Sequence, residues 1–520
     1  MKALTSHLAS AFFLSATAAL PGCAAGPQAK VGAEGTVGKS ELTRASEVVI
    51  ASPAGVRRPP FSFAPDDERL LDDAQRGAFF FLWNESSPLT GMVVDRSSEK
   101  FASIAGAGFQ LAALPVGVER GWVTRQQAEQ RALLILTSLE ANPRNRKHGF
   151  FYHFLDEVSA DPLPRDAVST IDSAIFFAGA LVAGVYFEGE VRERADRLFS
   201  QADWTAFIET APRAHEPHMK GSLSLGRKPV DPDKPEGETR LLPYYWADCG
   251  DEHRLATFLA VAAPQETHRA DSGLYYRLRR PLGDHPASGL HVYLPWSGAL
   301  FTNIFAHCFI DYASMGPDDP AAFGVERRPR VDWWENSRRA VLLNQAKCTE
   351  ARSSFPNLGA NSWGLSACDG PGGYIVPGVY PRPVVPADYV VDLDYPRFAP
   401  KDDFGGGVVA PYGAGCAVMF APEMAISALR HYRSLQRADG TPLVWREPAA
   451  TVGAPGGYGF QDSFNAETGW VAPDCVAIDQ GPLVLAIENA RTGRVSHWFH
   501  SHPWVQRAAD RLQLTPKKPK

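Results

Sequence analysis

Several stretches of this chain set carboxylates among aromatic rings and tight turns. Ser169-Thr170-Ile171-Asp172-Ser173 puts Asp172 three residues after a hydroxyl, and Tyr244-Tyr245-Trp246 runs on to Asp248-Cys249-Gly250-Asp251-Glu252. Asn361–Tyr374 carries Trp363 and Asp369 between glycines. Gly457–Asn465 carries Tyr458 and Asp462, followed by Trp470 and by Ala477-Ile478-Asp479-Gln480-Gly481-Pro482. Two carboxyl groups flanking a glycosidic bond can cleave it, one protonated beside the leaving oxygen and one ionised across the ring. Burial among aromatics keeps the first protonated, and a hydrogen-bonded, wetter setting keeps the second ionised. Trp246, Trp363, Tyr458 and Trp470 are candidate platforms for sugar faces. Each block also has a plainer use. Asp172 and Asp479 suit helix N-termini as caps, Asp251 and Glu252 suit a first helical turn, and 361–374 suits a turn-rich structural loop.

Other chemistries find little support. There is no GxSxG elbow, P-loop, HExxH or GxGxxG between strand and helix. Beyond Cys23 the cysteines stand at 249, 308, 348, 368, 416 and 475, with no CxxC and no zinc-like Cys/His spacing. No metal or cofactor is therefore expected, and six cysteines leave the disulfide pairing open. His153 and His307 read as packed residues rather than metal ligands. With 52 Lys+Arg against 58 Asp+Glu the net charge is −6, so no nucleic-acid partner is expected.

The elements that must position these residues are helices. Ala132, Ile135, Leu136 and Leu139 fall on one helical face, as do Ile171, Ala174, Ile175, Ala178, Leu181, Val182 and Val185. Ala425, Ala428, Leu429 and Tyr432 repeat the pattern after Pro422, a first-turn residue. Alternating stretches are few, so the chain reads as all-α. The small residues at 105–108 and 178–180 let helices approach closely. Long segments rich in Gly, Pro and aromatics (210–250, 368–412, 437–480) join the helices, and loops of that length carry function more often than stability. No linker divides residues 65–510, which read as one domain of paired helices.

The ends read differently. Residues 1–22 hold Lys2, an apolar run and Leu20-Pro21-Gly22 before Cys23, a lipoprotein-type signal with Cys23 as the lipidated residue. Residues 23–64 read as a flexible tether and 511–520 as a basic tail. The expectation is an exported lipoprotein of periplasm or outer membrane, monomeric, touching membrane through its lipid alone.

In order, these blocks resemble the glucoamylase-like domain of glycoside hydrolase family 144, the bacterial endo-β-1,2-glucanases. Besides Ser169–Ser173 and Asp251-Glu252, the similarity rests on Ala299-Leu300-Phe301 leading to His307 and Ile310-Asp311, and on Asp332-Trp333-Trp334-Glu335-Asn336-Ser337. It continues through Trp363–Tyr374, Ala421-Pro422-Glu423, Tyr458–Asn465, Ile478–Pro482 and Glu488–Gly493, so it spans about residues 75–505. The resemblance implies an (α/α)6 toroid, a cleft for a β-glucan at its broad end, and metal-independent hydrolysis with inversion. Family acids fall on Asp172, Glu252, Asp462 and Asp479, with His307, Asp311 and Asp369 beside the substrate. Glu252 is expected as the acid, Asp479 or Asp462 as the base, and Asp172 as a sugar-orienting group. Phe305-Ala306-His307-Cys308-Phe309 and Asp248-Cys249-Gly250 depart from the family pattern, which bears on linkage specificity more than on hydrolysis. A transglycosylase on the same barrel and a non-catalytic glycan-binding lipoprotein are the alternatives.

Overall fold

Helices buried on every side and helices with a single apolar stripe alternate along the chain. The computed structural model describes residues 49–210, 221–325, 328–383, 401–514 and 516. Its main helices are α1 (Pro65–Asn84), α2 (Ile104–Glu119), α3 (Arg125–Ala141), α4 (Thr170–Phe187), α5 (Gly189–Ser200) and α6 (Asp251–Ala262). They continue with α7 (Trp333–Glu350), α8 (Pro411–Cys416), α9 (Pro422–Ser434), α10 (Ala477–Thr492), α11 (Arg494–His500) and α12 (Pro503–Arg511). Every residue of α6 is buried, as are nearly all of α2, α4 and α10. In α3, by contrast, only Ala128, Ala132, Ile135, Leu136 and Leu139 are buried. An all-round apolar helix belongs inside and a striped one outside, and the packing follows.

Among the buried helices α10 packs on α2, α2 on α4 and α4 on α6. The turns Leu300–Asn303 and Phe305–Cys308 lie against α6, and α8 lies against α10. Behind them stand α3 on α2, α5 on α4, α12 on α6, α7 on Leu300–Asn303, α9 on α8 and α1 on α10. Helix α4 is long and apolar enough to cross a membrane, but 89% of it is buried within the protein. Missing side chains allow the tightest crossings. A Cβ on Gly179 would lie 1.8 Å from the Gly108 carbonyl oxygen, and one on Gly481 would lie 2.3 Å from Phe109 Cβ.

The strands are short and form two- and three-stranded sheets, an addition to the all-α expectation that leaves the protein predominantly helical. They sit in the loops that lead into the buried helices. Val168–Ser169 pairs with Gly226–Pro229 just before α4, and Leu223–Ser224 pairs with Tyr245–Trp246 before α6. Phe464–Asn465 pairs with Trp470–Val471 before α10. The hairpin Cys368–Gly370/Gly373–Ile375 comes from the loop after α7. The long segments expected to carry function are thus pinned, in part, by backbone hydrogen bonds.

Two boundaries differ from expectation. Part of the tether is docked rather than free: Ile50 is fully buried and bridges Val331, and Phe61 N–H donates to the Ala490 carbonyl at 2.8 Å. Arg58 ion-pairs with buried Asp332 and lies 4.6 Å over the Trp334 ring. The tail begins as structure too, since Leu512 and Leu514 are buried and Pro516 bridges Met315. Cys23, the signal segment and Lys517–Lys520 lie outside the described residues. The six cysteines from 249 to 475 are free, buried thiols, so the disulfides that their even number permits are absent among the described residues.

Candidate active site

The carboxylates gather at the N-terminal ends of the buried helices, where backbone N–H groups and the helix dipole favour negative charge. Ser169 caps α4. Its hydroxyl accepts the Asp172 N–H at 3.3 Å and donates to the Asp172 carboxylate. Asp172 also stands 3.7 Å from His153 Nε2. In the first turn of α6, Asp251 is fully locked. It pairs with Arg254 and accepts the His307 N–H at 3.2 Å. Its neighbour Glu252 is 7% exposed and has no such lock. Burial pushes the Glu252 pKa well above its usual value, and the charges of Asp172, Asp251 and Asp248 push it further the same way. Glu252 is thereby held as a neutral acid facing Asp172.

Asp248 goes the other way. Burial would raise its pKa, but the charge and hydrogen bond of His253, whose Nδ1 is 3.0 Å from Asp248 Oδ1, outweigh that and bring it down. The His253 ring lies 4.7 Å from that of Trp246, and the Trp246 indole N–H donates to Thr170 Oγ1 at 2.8 Å.

A second group of acids lies around the start of α10. Asp462 Oδ2 accepts the Asp369 N–H at 2.8 Å, while Asp462 Oδ1 and both Asp479 oxygens are buried without a donor. Two ionised carboxylates cannot donate to each other, so the arrangement is satisfied only when the pair shares a proton. Burial and then the Asp462 charge push Asp479 well up, and because Asp462 accepts the Asp369 N–H while Asp479 has no donor, the proton rests on Asp479. Burial also raises Asp462, to about 6, with the hydrogen bond from Asp479 working against it. The pair resembles other carboxyl dyads that titrate as a unit.

Asp95 and Arg96 join the two groups, and neither belongs to a recognisable motif. Arg96 pairs with Asp369, stands 3.5 Å from Asp95 Oδ2 and lies 5.2 Å over the Tyr374 ring. Asp95 in turn lies close enough to His153 and Asp172 to feel their charges, although burial is the main cause of its raised pKa. Asp166, raised by burial to about 6, belongs with His153 and Asp172 and accepts the Phe154 N–H at 2.7 Å. The sequence offered no signal for Asp95, Arg96, His153 or Asp166 as site residues, because none lies in a motif and the link from Arg96 to Asp369 spans 273 residues.

Of the expected platforms, Trp246, Tyr458 and Trp470 are partly exposed. Tyr458 donates its hydroxyl to Glu85 and packs edge-on against Phe81. Trp363 is different. Its side chain is fully buried, its backbone N–H and carbonyl engage the Tyr432 hydroxyl, and its ring is closed off from any ligand in solution. It is a core residue. Of the expected residues His307 and Asp311, the first meets the acids at Asp251, its Nε2 lying 3.6 Å from Asp251 Oδ1. Both line a separate cavity of about 380 Å³ with Trp334, His500 and Asn489. Ten residues of α10 at about 1.5 Å rise put Asn489 roughly 15 Å from Asp479. His307 Nε2 is 2.9 Å from Ser337 Oγ, and burial lowers the His307 pKa to about 4. Asp311 donates its N–H to His500 Nε2 at 3.1 Å.

The fold and these acids define a helical protein with a carboxylate-lined site at one end of its buried helices. The Glycoamylase family model, which describes glucoamylase-type proteins, matches residues 243–503, and the chain belongs to that family. An exo β-1,2-glucooligosaccharide sophorohydrolase (non-reducing end) of Parabacteroides distasonis is 27% identical over 473 residues, 86% of this chain. The match spans 58% of that relative's length. The endo-β-1,2-glucanase of Chitinophaga pinensis, solved with sophorotriose and glucose, superposes with a TM-score of 0.67 at 21% identity, covering 87% of this chain and 98% of its own. A β-1,2-glucanase of Parabacteroides distasonis gives 0.67 at 22% identity, covering 87% of this chain and 60% of its own.

Proposed function

We propose that this protein is a glycoside hydrolase that cleaves β-glucan, endo-acting on β-1,2-glucan with inversion, on an (α/α)6 toroid. The observation that carries the reading is Glu252, buried at a helix N-terminus, surrounded by carboxylates, and so held protonated for donation to a leaving oxygen. The Asp462–Asp479 pair serves as the second partner. Its ionised member, Asp462, takes the proton of the attacking water, while Asp479 supplies a hydroxyl donor. Asp172 orients the sugar, and Trp246, Tyr458 and Trp470 stack against it. The toroid is supported by the alternation of buried and striped helices, with each buried segment backed by an outer helix. The β-1,2 linkage is supported by the similarity to the exo β-1,2-glucooligosaccharide sophorohydrolase. Export as a lipoprotein modified at Cys23 rests on the Leu20-Pro21-Gly22-Cys23 sequence behind its apolar run.

The test is incubation with linear β-1,2-, β-1,3- and β-1,4-glucans, with product size read by chromatography and product anomer by NMR. Short β-1,2-linked products of inverted anomer are expected, with Glu252→Gln about 10²–10⁴-fold slower. Products longer than the substrate would reassign the chain as a transglycosylase. No product from any glucan, or near-normal turnover by Glu252→Gln, would overturn the proposal.

A further inference from the structure

Asp462 and Asp479 meet an unusual set of neighbours. The ionisable groups that face them are Asp369, Arg96, Tyr374, Tyr412, Cys368, Cys416 and Cys475. Burial drives the pKa values of the four thiols and phenols Tyr374, Tyr412, Cys368 and Cys475 upward, and Cys416 behaves likewise, so all of these stay neutral. Asp369 adds negative charge. Among these groups Arg96 is the one cation. Its charge is secured: burial works against it, but Asp95 and Asp369 more than offset burial and hold the guanidinium protonated.

The geometry is as specific as the charge. Arg96 grips the side chain of Asp369, and the backbone N–H of that same residue donates to Asp462 Oδ2 at 2.8 Å. The Asp369 carbonyl accepts from Ser463, next to Asp462 in the chain. Asp369 therefore holds Asp462 from both ends of its peptide while Arg96 holds Asp369. On its other side Arg96 is fixed by Asp95, which adjoins the His153–Asp172 group beside Glu252.

We propose that Arg96 is the positioning residue of the site. It fixes the Cys368–Gly370 strand so that Asp369 N–H points at Asp462, and its charge keeps Asp462 ionised opposite protonated Asp479. Arg96 acts through Asp369 and does not itself take part in proton transfer. The proposal rests on the reading of the Asp462–Asp479 pair as the base side of a glycosidase, and its ionisation arm stands without that reading.

The experiment compares wild type, Arg96→Met, Arg96→Gln and Arg96→Lys, each in the full chain. Arg96→Gln removes the charge but keeps a polar side chain, and so keeps the comparison open if Arg96→Met alone fails to fold. In the activity arm, the pH profile of kcat/KM on β-1,2-glucan is recorded. In Arg96→Met and in Arg96→Gln the acidic limb moves to higher pH by up to about one unit, with kcat falling more than KM rises; Arg96→Lys returns the limb toward wild type because it restores the charge. In the second arm, protein labelled with ¹³Cγ-aspartate is titrated by NMR, and the dyad resonances are assigned by their loss in Asp479→Asn. Their titration moves to higher pH in Arg96→Met. An acidic limb and a dyad titration unchanged in both Arg96 charge-removing variants overturn the proposal, as does a rise in KM with no shift of either. If the wild type cleaves no glucan, the hydrolase reading fails alone, and the NMR arm still decides the role of Arg96.

Discussion

The Ser169 hydroxyl accepts the Asp172 N–H at 3.3 Å and gives its own proton to the Asp172 carboxylate. One serine thus caps α4 and orients a carboxylate that faces the candidate acid. The capping and functional readings of this motif hold together. Ser169→Ala should cost about 1 kcal/mol of stability from the lost cap. It should also slow turnover about 10-fold, the worth of one hydrogen bond to a charged group of about 1.5 kcal/mol. Urea unfolding and glucan kinetics measure the two. Ser169→Thr, which keeps the hydroxyl, should recover both, and failure to recover turnover would separate the cap from the site.

Glu252→Gln gives a stability effect of definite sign. Burial and the charges of Asp172, Asp251 and Asp248 raise the folded-state pKa well above the ordinary 4.5. The native state then binds the proton more tightly than the unfolded chain, and unfolding releases it. Wild-type stability therefore declines as pH rises from about 4.5 toward the folded-state value. Glutamine carries no such proton. Glu252→Gln should unfold like the wild type at pH 4 and gain on it as pH rises through neutrality, with turnover reduced about 10²–10⁴-fold. Parallel stability–pH curves for the two proteins would show that Glu252 is not held protonated.

The same groups shape the pH dependence of activity. The Asp462–Asp479 pair must lose its first proton to supply a base, and Asp462 is raised by burial to about 6. Glu252 must keep its proton. The kcat/KM profile should rise with pH through about 6 and fall on the alkaline side, where Glu252 ionises. Asp479→Asn removes the carboxyl that competes for the shared proton, so the rising limb should change shape or position. A rising limb identical in Asp479→Asn would exclude the dyad as its origin.

Much of this was legible from residue pattern, for reasons that particular residues make plain. Ala132, Ile135, Leu136 and Leu139 form the buried stripe of α3, and Pro422 opens α9, because helical period and proline geometry are local properties. Asp172, Glu252 and Asp479 fall in the first turns of α4, α6 and α10 because each lies in a short motif whose meaning is local. What escaped depends on contacts distant in sequence. Trp363 looks like a platform when only its glycine neighbours are known, and its burial follows from α9 supplying Tyr432. Arg96 stands in an unremarkable loop 273 residues from Asp369. His307 sits in a family motif, and its place between Tyr312 and Phe420 and against Asp251 follows from packing that the motif does not spell out.

The contact between α2 and α4 makes a sharper case for small residues. A Cβ on Gly179 would fall 1.8 Å from the Gly108 carbonyl oxygen. That atom is backbone and cannot rotate aside, so the helices must separate. Gly179→Ala should cost about 3 kcal/mol or more, despite alanine's better helix propensity, which favours it by about 1 kcal/mol. The midpoint of urea unfolding reports it. A neutral or stabilising Gly179→Ala would mean that α2 and α4 are not in contact there.

The docked segment before α1 offers the last test. Arg58 donates to the carbonyls of Ala313 at 2.8 Å and Met315 at 3.2 Å, to Ser52 Oγ at 2.6 Å, and to Asp332. Asp332 is itself the N-cap of α7, accepting the Glu335 N–H at 3.1 Å. The guanidinium therefore ties the chain before α1 to the start of an outer helix and to the loop after Cys308. Its side chain is 18% exposed against 1% for Asp332, so solvent screens the pair little. Arg58→Met keeps some packing on Trp334 and removes the charge, which should cost about 3 kcal/mol. Residues 49–64 should then be cut faster by protease at 25 °C, while kcat on glucan stays within about 2-fold because the segment lies by the cavity of Trp334 and His307 rather than by Glu252. Equal protease resistance in wild type and variant would show that Arg58 does not hold the segment down.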